Sequence, residues 1–113
     1  MITIYHNPRC RKSRETLQLL KQKGAQITIR EYLKEPLSTE ELSRLVDMLA
    51  IKPFDLIRRN VEVFKSQFKG KDLSDEEWLD VMVSYPKLIE RPIVVSGNRA
   101  VLGRPPENVL TII

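Results

Sequence analysis

The first 33 residues, "MITIYHNPRCRKSRETLQLLKQKGAQITIREYL", decide the fold class of this chain. Residues 1–5 combine β-branched and aromatic side chains as a short strand does, and the turn formers Asn7 and Pro8 end that strand. Leucines at 17, 19 and 20 give a helix its apolar face, Gly24 suits the helix end, and residues 25–33 alternate again. Residues 2–32 therefore predict a strand-helix-strand unit with parallel strands.

The rest of the sequence predicts helices and then a hairpin. Two capping boxes, Ser38 with Glu41 and Ser74 with Glu77, mark helix starts. Between them, Pro53 suits the first turn of a short helix that carries Phe54, Ile57 and Arg58. "RPIVVSGNRAVLG" (91–103) predicts a β-hairpin with its turn at residues 96–99, and "RPPENVLTII" (104–113) predicts a final helix.

This order of elements predicts an α/β fold with a thioredoxin-like, mixed four-stranded sheet. The sequence reads as strand-helix-strand, a helical insertion at about residues 38–86, and strand-strand-helix. A length of 113 residues, with 42% hydrophobic and 30% charged residues, suits one domain, residues 1–113.

Composition narrows the setting in which the protein works. The net charge of +4 can serve nucleic acid, an anionic substrate or only solubility, and charge alone does not choose among them. The basic residues are scattered and no aromatic-basic motif accompanies them, so we expect no nucleic acid partner. Neither a membrane-spanning run nor an export signal is visible, and a single cysteine agrees with a reducing compartment. We therefore expect a cytoplasmic protein without a membrane partner. No long apolar stripe indicates an obligate dimer, so a monomer is expected.

Cys10 lies at the predicted start of the first helix, among Arg9, Arg11, Lys12 and Arg14. The helix N-terminus and these cations both favour a thiolate, and the same surroundings attract an oxyanion. The alternative is a buried structural thiol that packs as a small apolar residue. Since Ser13 stands where a dithiol oxidoreductase has its second cysteine, an oxidised Cys10 needs an external thiol.

The neighbours of Cys10 have expected roles of their own. We expect His6 either to shape the turn or to tune the thiolate, and Asn7 to tie the loop together. The Ser13 hydroxyl is expected to donate to the sulfur or to backbone. A metal site is not expected, because one cysteine and one histidine four positions apart lack further ligands at recognisable spacing.

Four segments resemble the arsenate reductase (ArsC) family of thioredoxin-like proteins, in its glutaredoxin-coupled branch. They are "ITIYHNPRCRKSRETL", "LIRRNVE", "KLIERPIVV" and "GRPPENVL", in the family order and over essentially the whole chain. The sequence is most similar to a short subgroup often called YfgD-like.

The resemblance implies roles for particular residues. Cys10 would be the nucleophile, and Arg58, Arg91 and Arg104 would hold the oxyanion. Arg58 is preferred to Arg59, and Arg91 precedes Pro92, where this fold normally has a cis peptide bond. Three supporting positions also match the family: His6, Ser13 and Arg14. Arg11 and Lys12 depart from it, since better-known members have small residues there.

The implied reaction is reduction of arsenate to arsenite through a Cys10–arsenate adduct. Glutathione would be the co-substrate and a glutaredoxin the partner, with no bound cofactor. Two alternatives remain open. One is a monothiol oxidoreductase that acts on glutathione adducts. The other is an Spx-like regulatory protein that binds RNA polymerase, although Spx-type proteins carry a "CxxC" pair where this chain has Ser13.

Overall fold

The computed structural model describes residues 1–113, which form two compact units. Unit one comprises residues 1–35 and 91–113, and unit two comprises residues 36–90. None of the helices is both long and apolar enough to cross a membrane.

Unit one contains a four-stranded sheet, one α-helix and a C-terminal 3-10 helix. Its elements are β1 (Ile2–Tyr5), α1 (Arg11–Gln22), β2 (Ile27–Arg30), β3 (Ile93–Ser96), β4 (Arg99–Leu102) and the 3-10 helix Pro106–Thr111. The strand order is β2-β1-β3-β4, with β1 parallel to β2 and antiparallel to β3, and with β4 antiparallel to β3. The predicted mixed, thioredoxin-like sheet is confirmed.

Strand β1 lies inside the sheet, paired with β2 on one side and β3 on the other, and its side chains pack against α1 in the core. Ile4 is fully buried, and it clusters with Leu20 of α1, Val94 of β3 and Val109 of the C-terminal segment. Burying such side chains contributes about 1.5–3 kcal/mol each. The C-terminal segment forms a 3-10 helix, which is tighter than the predicted ordinary helix.

Glycines mark two of the turns in this unit. Gly24 follows α1 with φ +73°, the left-handed conformation that commonly ends a helix. Gly97 has φ +63° in the hairpin, where Ser96 pairs with Arg99. The turn is therefore the two residues 97–98, shorter than the predicted 96–99.

Unit two is helical, as the capping boxes predicted. Its elements are α2 (Thr39–Leu49), the 3-10 helix Pro53–Leu56, α3 (Glu62–Gln67), α4 (Asp75–Ser84) and the 3-10 helix Pro86–Leu88. Both capping boxes are present, at Ser38 and Ser74. The prediction for residues 57 and 58 was wrong: the short helix ends at Leu56, because Ile57 pairs with Ile89 in an isolated antiparallel bridge.

Candidate active site

Cys10 is the N-cap of α1, and its side chain is 7% exposed. Hydrogen bonds to Asn7 stabilise the turn that precedes Cys10. The Asn7 carbonyl accepts from the Cys10 N–H at 3.0 Å, and Asn7 Oδ1 accepts from the Arg9 N–H at 3.0 Å. This is how a turn residue ties a loop together. An N-cap side chain faces the N–H groups of the first helical turn, which have no partner within the helix.

These surroundings lower the pKa of the Cys10 thiol below its ordinary value. Burial by itself raises the pKa, because it disfavours the charged thiolate. The backbone N–H of Ser13, the charge of Arg91, the backbone N–H of Lys12 and the charge of Arg104 together outweigh burial. The net effect of these surroundings favours the thiolate form of Cys10, the form in which a cysteine acts as a nucleophile.

Arg104 and Arg91 supply the side-chain charge near the sulfur. Arg104 Nη1 donates to Cys10 Sγ at 3.9 Å and to the Arg91 carbonyl at 3.4 Å. The Arg91–Pro92 peptide bond is cis, as the fold resemblance predicted, and so is the Arg104–Pro105 bond. Two arginines from separate segments thus act on one sulfur, whose surroundings also suit an oxyanion.

The Ser13 hydroxyl, which we expected to donate to the sulfur or to backbone, instead contacts the His6 ring and accepts from a backbone N–H. Ser13 is fully buried, and its Oγ lies 2.7 Å from His6 Nδ1 while accepting from the Asn7 N–H at 3.0 Å. A buried hydroxyl needs an acceptor, and His6 Nδ1 is the one within reach. Ser13 therefore acts on Cys10 through its backbone N–H, and its side chain anchors the loop.

His6 is the other end of this contact and is almost fully buried. Burial lowers its pKa, Glu31 opposes that change, and the charges of Arg14 and Lys21 add to it. A neutral imidazole can accept at Nδ1 from the Ser13 hydroxyl while carrying its proton on Nε2. His6 thus fixes the direction of the hydroxyl beneath the cysteine loop.

Arg14 supports the loop from outside. Its Nη1 donates to the Pro8 carbonyl at 3.0 Å, and its side chain is exposed. Arg14 also borders an open groove of about 480 Å³ between α1 and the C-terminal 3-10 helix. Its observed contacts are with the loop, so we assign it a structural part in the site.

Arg58 belongs to unit two, where its contacts are well defined. Its Nε lies 3.7 Å from Glu90 Oε1, and its Nη1 donates to the Lys87 carbonyl at 3.2 Å. The neighbouring guanidinium of Arg59 instead lies 4.7 Å above the Phe54 ring, a cation–π contact. The two adjacent arginines thus serve different partners. The contact between Arg58 and Glu90 was not predicted from the sequence, where 32 positions separate the two residues and no local pattern links them.

The described chain holds no group of three or more His, Cys, Asp or Glu side chains that could bind a metal ion. Of the residues predicted for the site, unit one brings together Cys10, His6, Ser13, Arg91 and Arg104, and Asn7 and Arg14 lie in the loop that supports Cys10. Arg58 belongs to unit two. Fold and site define the class: a thioredoxin-like protein with a single cysteine at a helix N-terminus, where two arginines favour its thiolate.

Comparison with known proteins gives the family. The model of the ArsC family matches residues 5–112. The chain is 44% identical to the arsenate reductase of Haemophilus influenzae, covering 99% of this chain and 98% of that protein. It is 43% identical to the uncharacterised protein YfgD of Escherichia coli, covering 99% and 96%. The solved arsenate reductase of Vibrio cholerae superposes with a TM-score of 0.95 at 45% identity, covering 99% of this chain and 97% of that one. The chain belongs to the ArsC family.

Proposed function

We propose that this protein is an arsenate reductase, with Cys10 as its nucleophile and a glutathione-type thiol as the source of electrons. The contact between Arg104 Nη1 and Cys10 Sγ, at the N-terminus of α1, carries this proposal. Thiolate and oxyanion both need positive charge and N–H donors, and this one place offers both. The names of the relatives from H. influenzae and V. cholerae favour arsenate as the oxyanion.

In the first step, the Cys10 thiolate attacks the arsenic of arsenate. A sulfur–arsenic bond forms, and one arsenate oxygen takes up protons and leaves as water. Arg91 and Arg104 stabilise charge on the remaining oxygens, because a guanidinium offers paired planar donors and keeps its proton. We include Arg58 among the arginines that stabilise the arsenate oxygens only because the family resemblance implies this role.

Electrons must then come from outside, because the chain has a single cysteine. A glutathione thiol binds the arsenic and displaces a second oxygen as water. A glutaredoxin thiolate attacks the glutathione sulfur, forming a disulfide and leaving the sulfur–arsenic electron pair on arsenic, which becomes arsenic(III). Hydrolysis of the Cys10–arsenic bond releases arsenite and restores the thiol. A second glutathione thiol then attacks the glutaredoxin–glutathione disulfide, which frees the glutaredoxin thiol and gives oxidised glutathione. NADPH reduces the oxidised glutathione through glutathione reductase.

Two arginines beside the cysteine support glutathione as the attacking thiol. Arg9 and Arg11 are exposed, and neither guanidinium has a hydrogen bond or ion pair within the protein. Glutathione carries two carboxylates and one ammonium group at neutral pH, so it is an anion even before its thiol ionises. Unpaired cations around the nucleophile favour the approach of such a thiol over a neutral one.

The test is NADPH consumption by the purified protein with arsenate, glutathione, glutaredoxin and glutathione reductase. Cys10→Ser should abolish turnover, and Arg91→Ala should lower it by about 100-fold or more, the scale of losing one transition-state charge contact. Arg99→Gln is the matched control, because Arg99 is an exposed arginine of the same unit that donates to the Thr111 carbonyl. It should keep the parent activity.

Absence of arsenate turnover by the folded parent would overturn the proposal. Activity on a glutathione mixed disulfide in that case would identify a monothiol oxidoreductase instead. Turnover that survives in Cys10→Ser would overturn the mechanism even if arsenate is the substrate.

A further inference from the structure

The segment that carries Arg104 is fastened at three consecutive carbonyl groups. Asn108 Nδ2 donates to the Leu102 carbonyl at 3.1 Å and to the Arg104 carbonyl at 3.2 Å. The single proton of the Thr16 hydroxyl is shared between the Gly103 carbonyl at 3.2 Å and the Lys12 carbonyl at 2.8 Å. Each carbonyl of residues 102–104 thus accepts from a side chain that lies elsewhere in the sequence, which fixes the main chain at this point.

Thr16 connects this segment to the helix that begins at the nucleophile. It lies on α1, is fully buried, and its hydroxyl is within reach of the Lys12 carbonyl at 2.8 Å as well as the Gly103 carbonyl. The Lys12 carbonyl also receives the Thr16 N–H within the helix. The buried Gly103 carbonyl has no such second donor, so the hydroxyl matters more there.

Gly103 makes this close approach possible. A Cβ atom at this position would lie 2.5 Å from Thr16 Oγ1 and 2.8 Å from Pro92 Cγ, too close for any side chain. The Gly103 N–H also donates to the Pro92 carbonyl at 2.9 Å. The backbone of Gly103 is therefore packed between α1 and the segment that follows Arg91.

We propose that Thr16 and Asn108 are positioning residues, which hold the main chain of residues 102–104 so that the Arg104 guanidinium stays against Cys10 Sγ. Neither residue needs to touch the substrate. The consequence for the thiol follows from the geometry alone, and the consequence for oxyanion binding rests on the proposed function. Releasing either contact should let Arg104 move away and leave the thiolate less stabilised.

The test uses the rate of Cys10 alkylation by iodoacetamide as a function of pH, which gives the apparent pKa of the thiol. Thr16→Val removes the hydroxyl and keeps the shape, whereas Thr16→Ser keeps the hydroxyl. We expect Thr16→Val and Asn108→Ala each to raise the apparent pKa of the Cys10 thiol by about half a unit to one unit, because the Arg104 guanidinium would lie farther from the thiolate. Thr16→Ser should stay close to the parent.

A double-mutant cycle with Arg104→Gln separates positioning from a general structural effect. If Thr16 and Asn108 act through Arg104, their substitution should change the apparent pKa little once Arg104 is gone. Equal shifts in the parent and Arg104→Gln backgrounds, or no shift in the parent, would overturn the proposal. Circular dichroism checks that each variant is folded, and Asn108→Ala decides the matter if Thr16→Val does not fold.

The same variants separate this inference from the proposed function. Where the parent turns over arsenate, Thr16→Val and Asn108→Ala should raise KM for arsenate more than they lower kcat, because the arginine is displaced and not removed. A parent without arsenate turnover would contradict the proposed function, while the alkylation cycle would still decide the positioning role.

Discussion

Arg104 donates to the sulfur of Cys10 across 3.9 Å, although 94 positions separate the two residues in the chain. The sheet makes this contact possible. Helix α1 follows the central strand β1, and Arg104 follows β4, so both lie in the unit that contains all four strands. Cys10 and its charge partner therefore meet only when the two ends of the chain have folded together.

This relationship predicts how Cys10 responds to pH. Because its pKa is lowered, the folded protein should react with iodoacetamide at pH values where an ordinary thiol is protonated. The midpoint of the rate–pH curve should lie below that of the same protein in concentrated urea. Arg104→Gln should move the folded-state midpoint upward, while the control Arg99→Gln should not. Identical midpoints for the folded and unfolded parent would contradict the prediction.

Arg11 should matter for the approach of anionic thiols. It is exposed and has no partner in the protein, so its charge is available to an incoming carboxylate. In Arg11→Gln, we expect reduction of a Cys10 mixed disulfide by glutathione to slow by about two- to tenfold at low salt, and reduction by neutral 2-mercaptoethanol to change little. Rising ionic strength should narrow the difference between parent and variant.

Arg99→Gln is again the matched control for that experiment, because it removes the same charge from another exposed site of the same unit. An equal loss with glutathione and with 2-mercaptoethanol would show that Arg11 acts on the thiol itself and not on the incoming anion.

Much of the fold could be predicted because its signals are local. A serine followed three residues later by glutamate, just before a helical apolar pattern, is a helix-start signal contained within four residues, and both capping boxes are present in the structure. The short helix α3 was not predicted. Its Phe64 packs near Trp78 of α4, with ring centroids 6.2 Å apart, so its stability depends on a distant residue. Ile57 was predicted to lie in the short helix but does not, because it too contacts a distant residue: it pairs with Ile89 in an antiparallel bridge.

In the candidate site, too, local features could be predicted from the sequence and contacts between distant residues could not. The position of Cys10 at a helix start could be predicted from the turn and the leucines that follow it. The direction of the Ser13 hydroxyl could not, because it depends on His6, a residue on the other side of that turn. The approach of Arg104 to the sulfur is a long-range contact, and the resemblance to a family, not the local pattern, indicated it.

His6 should make the stability of the protein depend on pH. Burial lowers its pKa below the ordinary value of about 6.5, so the unfolded chain takes up this proton at a higher pH than the folded one. The free energy of unfolding should therefore be greatest above that value and decrease as the pH falls through it toward the lowered pKa. Urea unfolding at a series of pH values measures this slope.

The sequence makes that slope easy to assign, because His6 is the only histidine. In His6→Gln, the slope should become smaller in this range. Ser13→Ala should lower stability most above this range, where the neutral imidazole loses its 2.7 Å partner, and should therefore also make the slope smaller, though less than His6→Gln does. A slope that persists unchanged in His6→Gln would show that other groups cause it.

Two glycine substitutions should destabilise the protein for different reasons. Gly103→Ala would place a methyl group 2.5 Å from Thr16 Oγ1, and overpacking of this kind costs about 1–3 kcal/mol. Gly24→Ala meets no atom within 4 Å, but the left-handed backbone at φ +73° costs about 1–2 kcal/mol. Urea unfolding should show a loss in both. Only Gly103→Ala should also raise the apparent pKa of Cys10 in the alkylation assay, because only Gly103 adjoins Arg104. Equal Cys10 reactivity in the two folded variants would mean that this approach to α1 does not position the arginine.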